Sequence, residues 1–427
     1  MSLVSLSRRT LLAALLAVVV PATVNAQTAT PVPEDNERHV LLVSFDGFRS
    51  DYADNWDLAN FQDISREGAS SRGLIPSYPS KTFPNHYTLV TGLYPGRHGL
   101  VDNSFYSPPL AASYRMADRS AVENPQFYGG LPLWQHLSAH GIKTASYFWV
   151  GSETKIAGHY PDYYRLYDGR VANEARIRQV LEWLQLPDAE RPRFITLYFS
   201  FVDSVAHDTG PASTATHEAA LQADALLGQL RAGLSELSVP VDLLVVSDHG
   251  MYPVIHDPAF YIATNGLGLT PEDGILVISQ TQAQLYVNDP ARIPALYQQL
   301  QAREDHFRVY LKQETPPHWH YRDHAHIGDI LLVAEPGYVI VPSTVQAMSA
   351  GRPYGPGDTY GVHGYDASTE PALHGIFYAW GPSIRAGVSL PAFENVHVFP
   401  LITRLFGVPN PDGLDGKETV LAPILAE

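Results

Sequence analysis

The chain has 427 residues, no cysteine, eighteen histidines and a formal net charge of −16. The lack of cysteine excludes disulfides, thiolate metal sites and a cysteine nucleophile, and the acidic balance argues against a protein that lives on nucleic-acid backbones. With 45% hydrophobic and 17% charged residues, the composition is that of a folded chain with a large core, neither disordered nor fibrous.

In chain order, the first expectation is an address. Arg8 and Arg9 precede the apolar run Leu11 to Val20, which is too short to span a bilayer comfortably, and Val24-Asn25-Ala26 offers a cleavage site. Residues 1–26 therefore read as a signal peptide, and Ser7-Arg8-Arg9-Thr10-Leu11-Leu12 resembles a twin-arginine export signal, with general secretion as the alternative. The expected location is periplasmic or secreted, with no membrane span. Residues 27–38, rich in Thr, Pro and acidic side chains, read as a linker.

The run His39 to Phe45, HVLLVSF, has no polar alternation, as expected of a strand buried on both faces, and Asp46-Gly47 follows it. Phe194 to Val202, FITLYFSFV, ends in Asp203, and Val241 to Ser247, VDLLVVS, ends in Asp248-His249-Gly250. Three buried-type strands thus deliver an aspartate at the carboxyl edge, where active sites form in open α/β sheets. Helices are predicted over 131–140, 173–184 and 216–237, the last capped by Thr216, and a further strand over 142–150. Alternating strand and helix predict an α/β fold with a mostly parallel sheet. From about 259 to 358 the pattern changes to short strands rich in His and Pro, with a hairpin expected over Ile330 to Val341. That stretch reads as an inserted cap within a catalytic domain spanning 39–427.

The chemistry-bearing residues are Asp46, Asp203, Asp248, His207, His249 and His363. Three carboxylates and three imidazoles suffice for two zinc ions in tetrahedral oxygen/nitrogen shells if one more oxygen contributes. Thr82 is the candidate for that oxygen. Pro84 favours the first turn of a helix, so Thr82 lies near a helix N-terminus, where backbone N–H groups and the dipole favour an anion. A metal and a helix N-terminus both favour the threonine alkoxide, and two metals about 3.5–4 Å apart clamp the oxygens of an in-line phosphoryl displacement. His86 and His98 lack strand-end placement and read as structural. His318, His320, His324 and His326 read as a solvated loop.

Together these strings resemble the nucleotide pyrophosphatase/phosphodiesterase family of the alkaline phosphatase superfamily. The resemblance is carried by Tyr78-Pro79-Ser80-Lys81-Thr82-Phe83-Pro84-Asn85-His86-Tyr87 with Thr91-Gly92-Leu93-Tyr94-Pro95 and His98-Gly99. Phe148-Trp149-Val150-Gly151-Ser152-Glu153 adds to it, with Val150 where the family has Pro, as does Asp203-Ser204-Val205-Ala206-His207, with Ala206 where it has Gly. It implies an α/β/α sandwich and two Zn2+ per chain. One zinc would be held by Asp203, His207 and His363, the other by Asp46, Asp248, His249 and Thr82. Thr82 would form a phosphothreonine that water then hydrolyses. Asn103 would bind a non-bridging phosphoryl oxygen, and Phe83 and Tyr167 would grip a nucleobase; their alternative is core packing. The implied partner is a small nucleotide or other phosphodiester, with nucleic acid only as a possible substrate. Two other substrate classes remain open from sequence: glycerophosphodiester or lysophospholipid headgroups, and phosphomonoesters.

Overall fold

The computed structural model describes residues 38–426. The signal-peptide expectation, and the linker apart from Arg38, fall outside these residues. In chain order the elements that build the site region are β1 (His39–Phe45), α1 (Ala59–Glu67), β2 (Ala69–Ser71), α2 (Thr82–Thr91), β3 (Thr144–Tyr147), β4 (Tyr163–Arg165), α3 (Asn173–Leu184), β5 (Phe194–Phe199), α4 (Phe201–Thr209), α5 (Thr214–Ser235) and β6 (Val241–Val246). They continue with β7 (Gly274–Ser279), β8 (Gln282–Val287), β9 (Phe307–Leu311), β10 (Ile330–Ala334), β11 (Thr359–Val362), β12 (Phe377–Trp380), β13 (Val388–Leu390) and α6 (Val398–Leu405).

Eight strands form the central sheet in the order β13-β2-β12-β6-β1-β5-β3-β4. β1 lies at its centre, parallel to β5 and β6, and β12 runs antiparallel to both β6 and β2. Successive β1 residues serve opposite faces. Val40 and Leu42 join one apolar layer with Tyr87, Leu89 and Val90 of α2 and with α6. Leu41, Val43 and Phe45 join the other, with Phe61 of α1, Val180 of α3 and Leu227 of α5. This is why β1 reads as an unbroken apolar run: each side chain meets a helix layer, and each fully buried Leu or Val contributes roughly 1.5–3 kcal/mol. The result is the expected mostly parallel α/β/α sandwich.

Residues 274–334 form a separate antiparallel sheet, β7-β8-β10-β9, over a third apolar cluster. The expected hairpin over 330–341 does not form. β10 pairs with β8 and β9, whereas Val339–Val341 pairs in parallel with Tyr261–Ala263, so Pro336-Gly337 turns the chain from one sheet to another. Further boundaries differ from expectation: the helix expected over 131–140 spans Leu133–Ser138, and the strand expected over 142–150 is confined to β3. The strand begun at Phe194 stops at Phe199, and Asp203 falls in the first turn of α4. α5 starts at Thr214, capped by the Ser213 hydroxyl, which accepts the Thr216 N–H at 3.1 Å; Thr216 itself is buried inside the helix. Among the described residues, no helix is long and apolar enough to cross a membrane.

Candidate active site

The carboxyl edge of the sheet gathers side chains from five segments. Asp46 follows β1, and Asp248 and His249 follow β6 by way of Ser247. Asp203 and His207 stand four residues apart on one face of α4. His363 follows β11, and Thr82 opens α2. Gly47 makes the close approach possible: its φ is +66°, and a Cβ there would lie 2.8 Å from the Cα of Asp203.

The ligand-type atoms converge. Asp203 Oδ1 is 3.4 Å from His207 Nε2 and 3.8 Å from His363 Nε2, and the two Nε2 atoms are 3.2 Å apart. His249 Nε2 is 3.0 Å from Asp248 Oδ2, 3.5 Å from Asp46 Oδ1 and 3.2 Å from Thr82 Oγ1. Two overlapping triplets, Asp203–His249–His363 and Asp46–Asp248–His249, each hold their donor atoms within 4.8 Å of one another. His249 thus reaches both sets, its ring stacked on His363 at 3.6 Å between centroids.

Two observations show that these donors suit a divalent cation. Asp46 Oδ1, Asp203 Oδ1 and Asp248 Oδ2 are buried oxygens without a hydrogen bond, a costly arrangement unless positive charge faces them. Each of the three imidazoles also spends its Nδ1 on a backbone carbonyl: His207 on Gly361 (2.7 Å), His249 on Gly250 (2.8 Å) and His363 on Ser80 (2.8 Å). Donation from Nδ1 places the free lone pair on Nε2, the atom that faces the cluster, as metal-binding histidines require. Burial, with Asp248 and Asp203 close by, pushes the Asp46 carboxyl well above its usual range. Burial likewise pushes the His363 imidazole far down, helped by His249, Lys81 and His207. At Asp248 burial acts upward, but His249 and His86 outweigh it and hold the carboxyl low. Burial also acts downward on the His249 imidazole, but Asp248 and Asp203 outweigh it and push it up, so the buried carboxylates draw positive charge into the cluster.

Thr82 is buried at the start of α2. The N-terminus offers fewer open donors than the sequence implies. The Phe83 N–H donates to Asn103 Oδ1 at 2.9 Å, Pro84 has none, and the Asn85 N–H returns to the Lys81 carbonyl. Thr82's own N–H is left. Asn103, with its Oδ1 engaged by Phe83, keeps its Nδ2 donors for another partner.

Beside Thr82 opens a cleft of about 380 Å³, lined by Asp46, Phe83, Met116, Trp149, Tyr167 and Asp203 among others. Tyr167 is 44% exposed, which excludes a core-packing role for it. Phe83 is partly buried, its ring edge-on to Tyr114 at 6.2 Å.

Sequence reasoning missed two supports of this site. Tyr198 of β5 donates its hydroxyl to Asp46 Oδ2 at 2.5 Å. A tyrosine in a buried strand, one residue from its carboxyl end, is the signal that was there to read. His86 was expected to be structural. It lies one turn beyond Thr82 with Nδ1 2.9 Å from the Thr82 carbonyl and 3.3 Å from Asp248 Oδ2, and Nε2 bonded to Ser44 Oγ at 2.8 Å. It braces Asp248 from behind, and nothing in its spacing announces that. His98 is bonded to Thr88 within the core as expected. Of the histidines of 318–326, His318 and His320 are exposed as expected, His320 also stacking on Tyr94 at 4.0 Å, whereas His326 is buried against the Gly99 carbonyl.

A carboxylate- and imidazole-rich edge on this sheet, with a threonine at a helix N-terminus, defines an α/β/α protein of the alkaline-phosphatase-like class. Comparison with known proteins agrees. The murine ectonucleotide pyrophosphatase/phosphodiesterase 5 structure, an inactive threonine-to-alanine variant in complex with AMP, superposes with a TM-score of 0.83 at 28% identity, covering 91% of this chain and 100% of that one. The mouse ectonucleotide pyrophosphatase/phosphodiesterase family member 1 is 34% identical over 385 residues, 87% of this chain and 41% of the mouse protein. A venom phosphodiesterase of Crotalus durissus collilineatus is 33% identical over 404 residues, 91% of this chain and 47% of the venom protein. The chain thus spans less than half the length of these two relatives. The profile of type I phosphodiesterase / nucleotide pyrophosphatase matches residues 40–366, and the chain belongs to that family.

Proposed function

We propose that the protein is an exported two-zinc hydrolase that cleaves nucleotide phosphodiester or pyrophosphate bonds and releases nucleoside monophosphates. The observation that carries this reading is the convergence of Thr82 Oγ1, three buried carboxylate oxygens without hydrogen bonds and three Nε2 edges beside an aromatic-walled cleft. Asp203, His207 and His363 would hold one zinc; Asp46, Asp248, His249 and Thr82 would hold the other. When bound, the two ions supply Lewis-acid charge to the nucleophile, the phosphoryl group and the attacking water.

The chain's own residues do the rest. Thr82 Oγ1 forms a bond to phosphorus as the bond to the leaving oxygen breaks, giving a phosphothreonine. Water then attacks the same phosphorus, restores the threonine hydroxyl and frees the monophosphate. The Asn103 Nδ2 group and the Thr82 N–H donate to non-bridging oxygens, where charge develops in each transition state. Tyr198 and His86 hold Asp46 and Asp248 in place. Phe83 and Tyr167 take the base between aromatic faces.

The test is a pair of rates, with thymidine monophosphate p-nitrophenyl ester against p-nitrophenyl phosphate. A strong diester preference is expected, and a monoester preference would overturn the substrate assignment. Phe83→Ala is expected to raise KM for nucleotide substrates about tenfold, the order of one lost base–aromatic stack, while leaving KM for bis-p-nitrophenyl phosphate within about twofold. Equal effects on both would make Phe83 a packing residue.

The same reading assigns residues 1–26 to the export signal, 27–38 to a linker and 39–427 to the catalytic domain, with 259–358 as its inserted cap. Periplasmic or secreted location follows, by the twin-arginine or the general route. Replacing Arg8 and Arg9 by lysine should retain precursor in the cytoplasm if the twin-arginine route is used.

A further inference from the structure

We propose that Asp102 is a positioning residue that fixes the phosphoryl-binding Asn103 by anchoring it to the β7–β8 turn. This rests on the reading of Asn103 given above. Asp102 is fully buried. Its Oδ1 accepts the N–H of Asn103 at 2.7 Å and the hydroxyl of Ser279, at the end of β7, at 2.6 Å. Its Oδ2 accepts the amide of Gln282, at the start of β8. The Asn103 carbonyl is held in turn by the Met116 N–H at 2.9 Å, and its side-chain Oδ1 by Phe83 N–H at 2.9 Å. Every protein-facing group of Asn103 is thereby spent on holding it, and its Nδ2 donors alone are left over.

The same turn also touches the nucleophile's segment. Gln282 Oε1 accepts the Tyr78 hydroxyl at 3.0 Å, four residues before Thr82. Burial pushes the Asp102 carboxyl up, and the charge of Lys81, buried next to Thr82, partly offsets it. One turn of the four-stranded sheet therefore spans the two segments that carry Thr82 and Asn103. This gives that sheet a role in catalysis, since displacement of an oriented group by about 1 Å costs up to about 10²-fold in rate.

The chemistry supplies its own rescue. In Asp102→Asn, an N–H2 group meets the N–H2 of Gln282; in Asp102→Asn with Gln282→Glu, the donor and acceptor exchange places and the pair is restored. Each variant is assayed with thymidine monophosphate p-nitrophenyl ester after zinc loading, with zinc content measured alongside. Asp102→Asn is expected to lower kcat about 10- to 100-fold with KM nearly unchanged and zinc retained. Adding Gln282→Glu should restore most of the lost kcat. In an Asn103→Ala background, Asp102→Asn should cost little more, because the group it positions is gone. Ser279→Ala, which removes one donor, should lower kcat by a few-fold and reads the same contact should Asp102→Asn fail to fold. An unchanged kcat in Asp102→Asn, the same fold loss with and without Asn103, or loss of zinc in step with kcat would each overturn the proposal. If Asn103→Ala itself keeps full kcat, the role given to Asn103 fails; if that variant is impaired while Asp102→Asn is not, only the present inference fails.

Discussion

Thr82→Ala is expected to lower turnover of thymidine monophosphate p-nitrophenyl ester by at least about 10⁴-fold, the scale on which removal of a covalent nucleophile acts, with both zinc ions retained. The two halves of this expectation have separate physical causes. Turnover falls because the attacking oxygen is gone, and the neighbouring hydroxyls of Ser80 and Ser44 are committed to the Tyr365 carbonyl and to His86. Metal is expected to stay because the six proposed ligands, Asp46, Asp203, His207, Asp248, His249 and His363, stand on elements that do not depend on the threonine methyl or hydroxyl. Each histidine keeps its backbone partner at Nδ1. Thr82→Ser retains an oxygen at the same place and should keep much of the activity. Acid quench of the native enzyme with a phosphorus-labelled diester should trap label on protein, and Thr82→Ala should trap none. Turnover close to the native rate in Thr82→Ala would end the nucleophile assignment, and loss of zinc in that variant would make the threonine a structural ligand instead.

The sequence discloses this site to unequal depth, and the reason is physical. β1 is legible because both of its faces are buried, so the run Val40 to Phe45 has no polar member but Ser44, and the residue after it is a carboxylate. β6 follows the same logic with Asp248-His249. Asp203 is legible as a functional residue but not as a helical one. FITLYFSFV carries no turn signal, and the chain enters α4 at Phe201 with no side-chain cap to mark the change. Local propensity cannot separate a buried strand from a buried helical turn of the same apolar residues. His86 and Tyr198 are illegible for another reason. Their roles come from what lies across the sheet, Asp248 and Asp46, and no spacing along the chain encodes a partner about 150 residues away. The register of the β7–β8 turn against Asp102 is of the same kind. The mistaken hairpin at Pro336-Gly337 shows the converse: the turn signal is real, but the strands on either side pair elsewhere.

Stripping the protein of divalent metal is expected to abolish turnover and to lower the thermal midpoint by several degrees, with both restored by zinc. The stability argument follows from the three buried oxygens of Asp46, Asp203 and Asp248 that lack hydrogen bonds. Without a cation they face one another, and the Asp46 carboxyl is driven toward its protonated form by burial and by the other two acids. A ligand that binds only the folded state stabilises it by RT ln(1 + [L]/Kd), about 4 kcal/mol per site at a thousandfold excess over Kd. Two sites would make the metal one of the larger single contributors to a net stability of about 5–15 kcal/mol. His363→Ala separates the two sites. It removes one Nε2 from the set proposed for one zinc, Asp203, His207 and His363, and leaves Asp46, Asp248 and His249 untouched. One zinc per chain, a partial fall in midpoint and a severe loss of turnover are the expected results. Two tightly held zinc ions in that variant would remove His363 from the ligand set. A stripped native protein with an unchanged midpoint would show that the acids are satisfied without metal, and that the convergence of their oxygens has another cause.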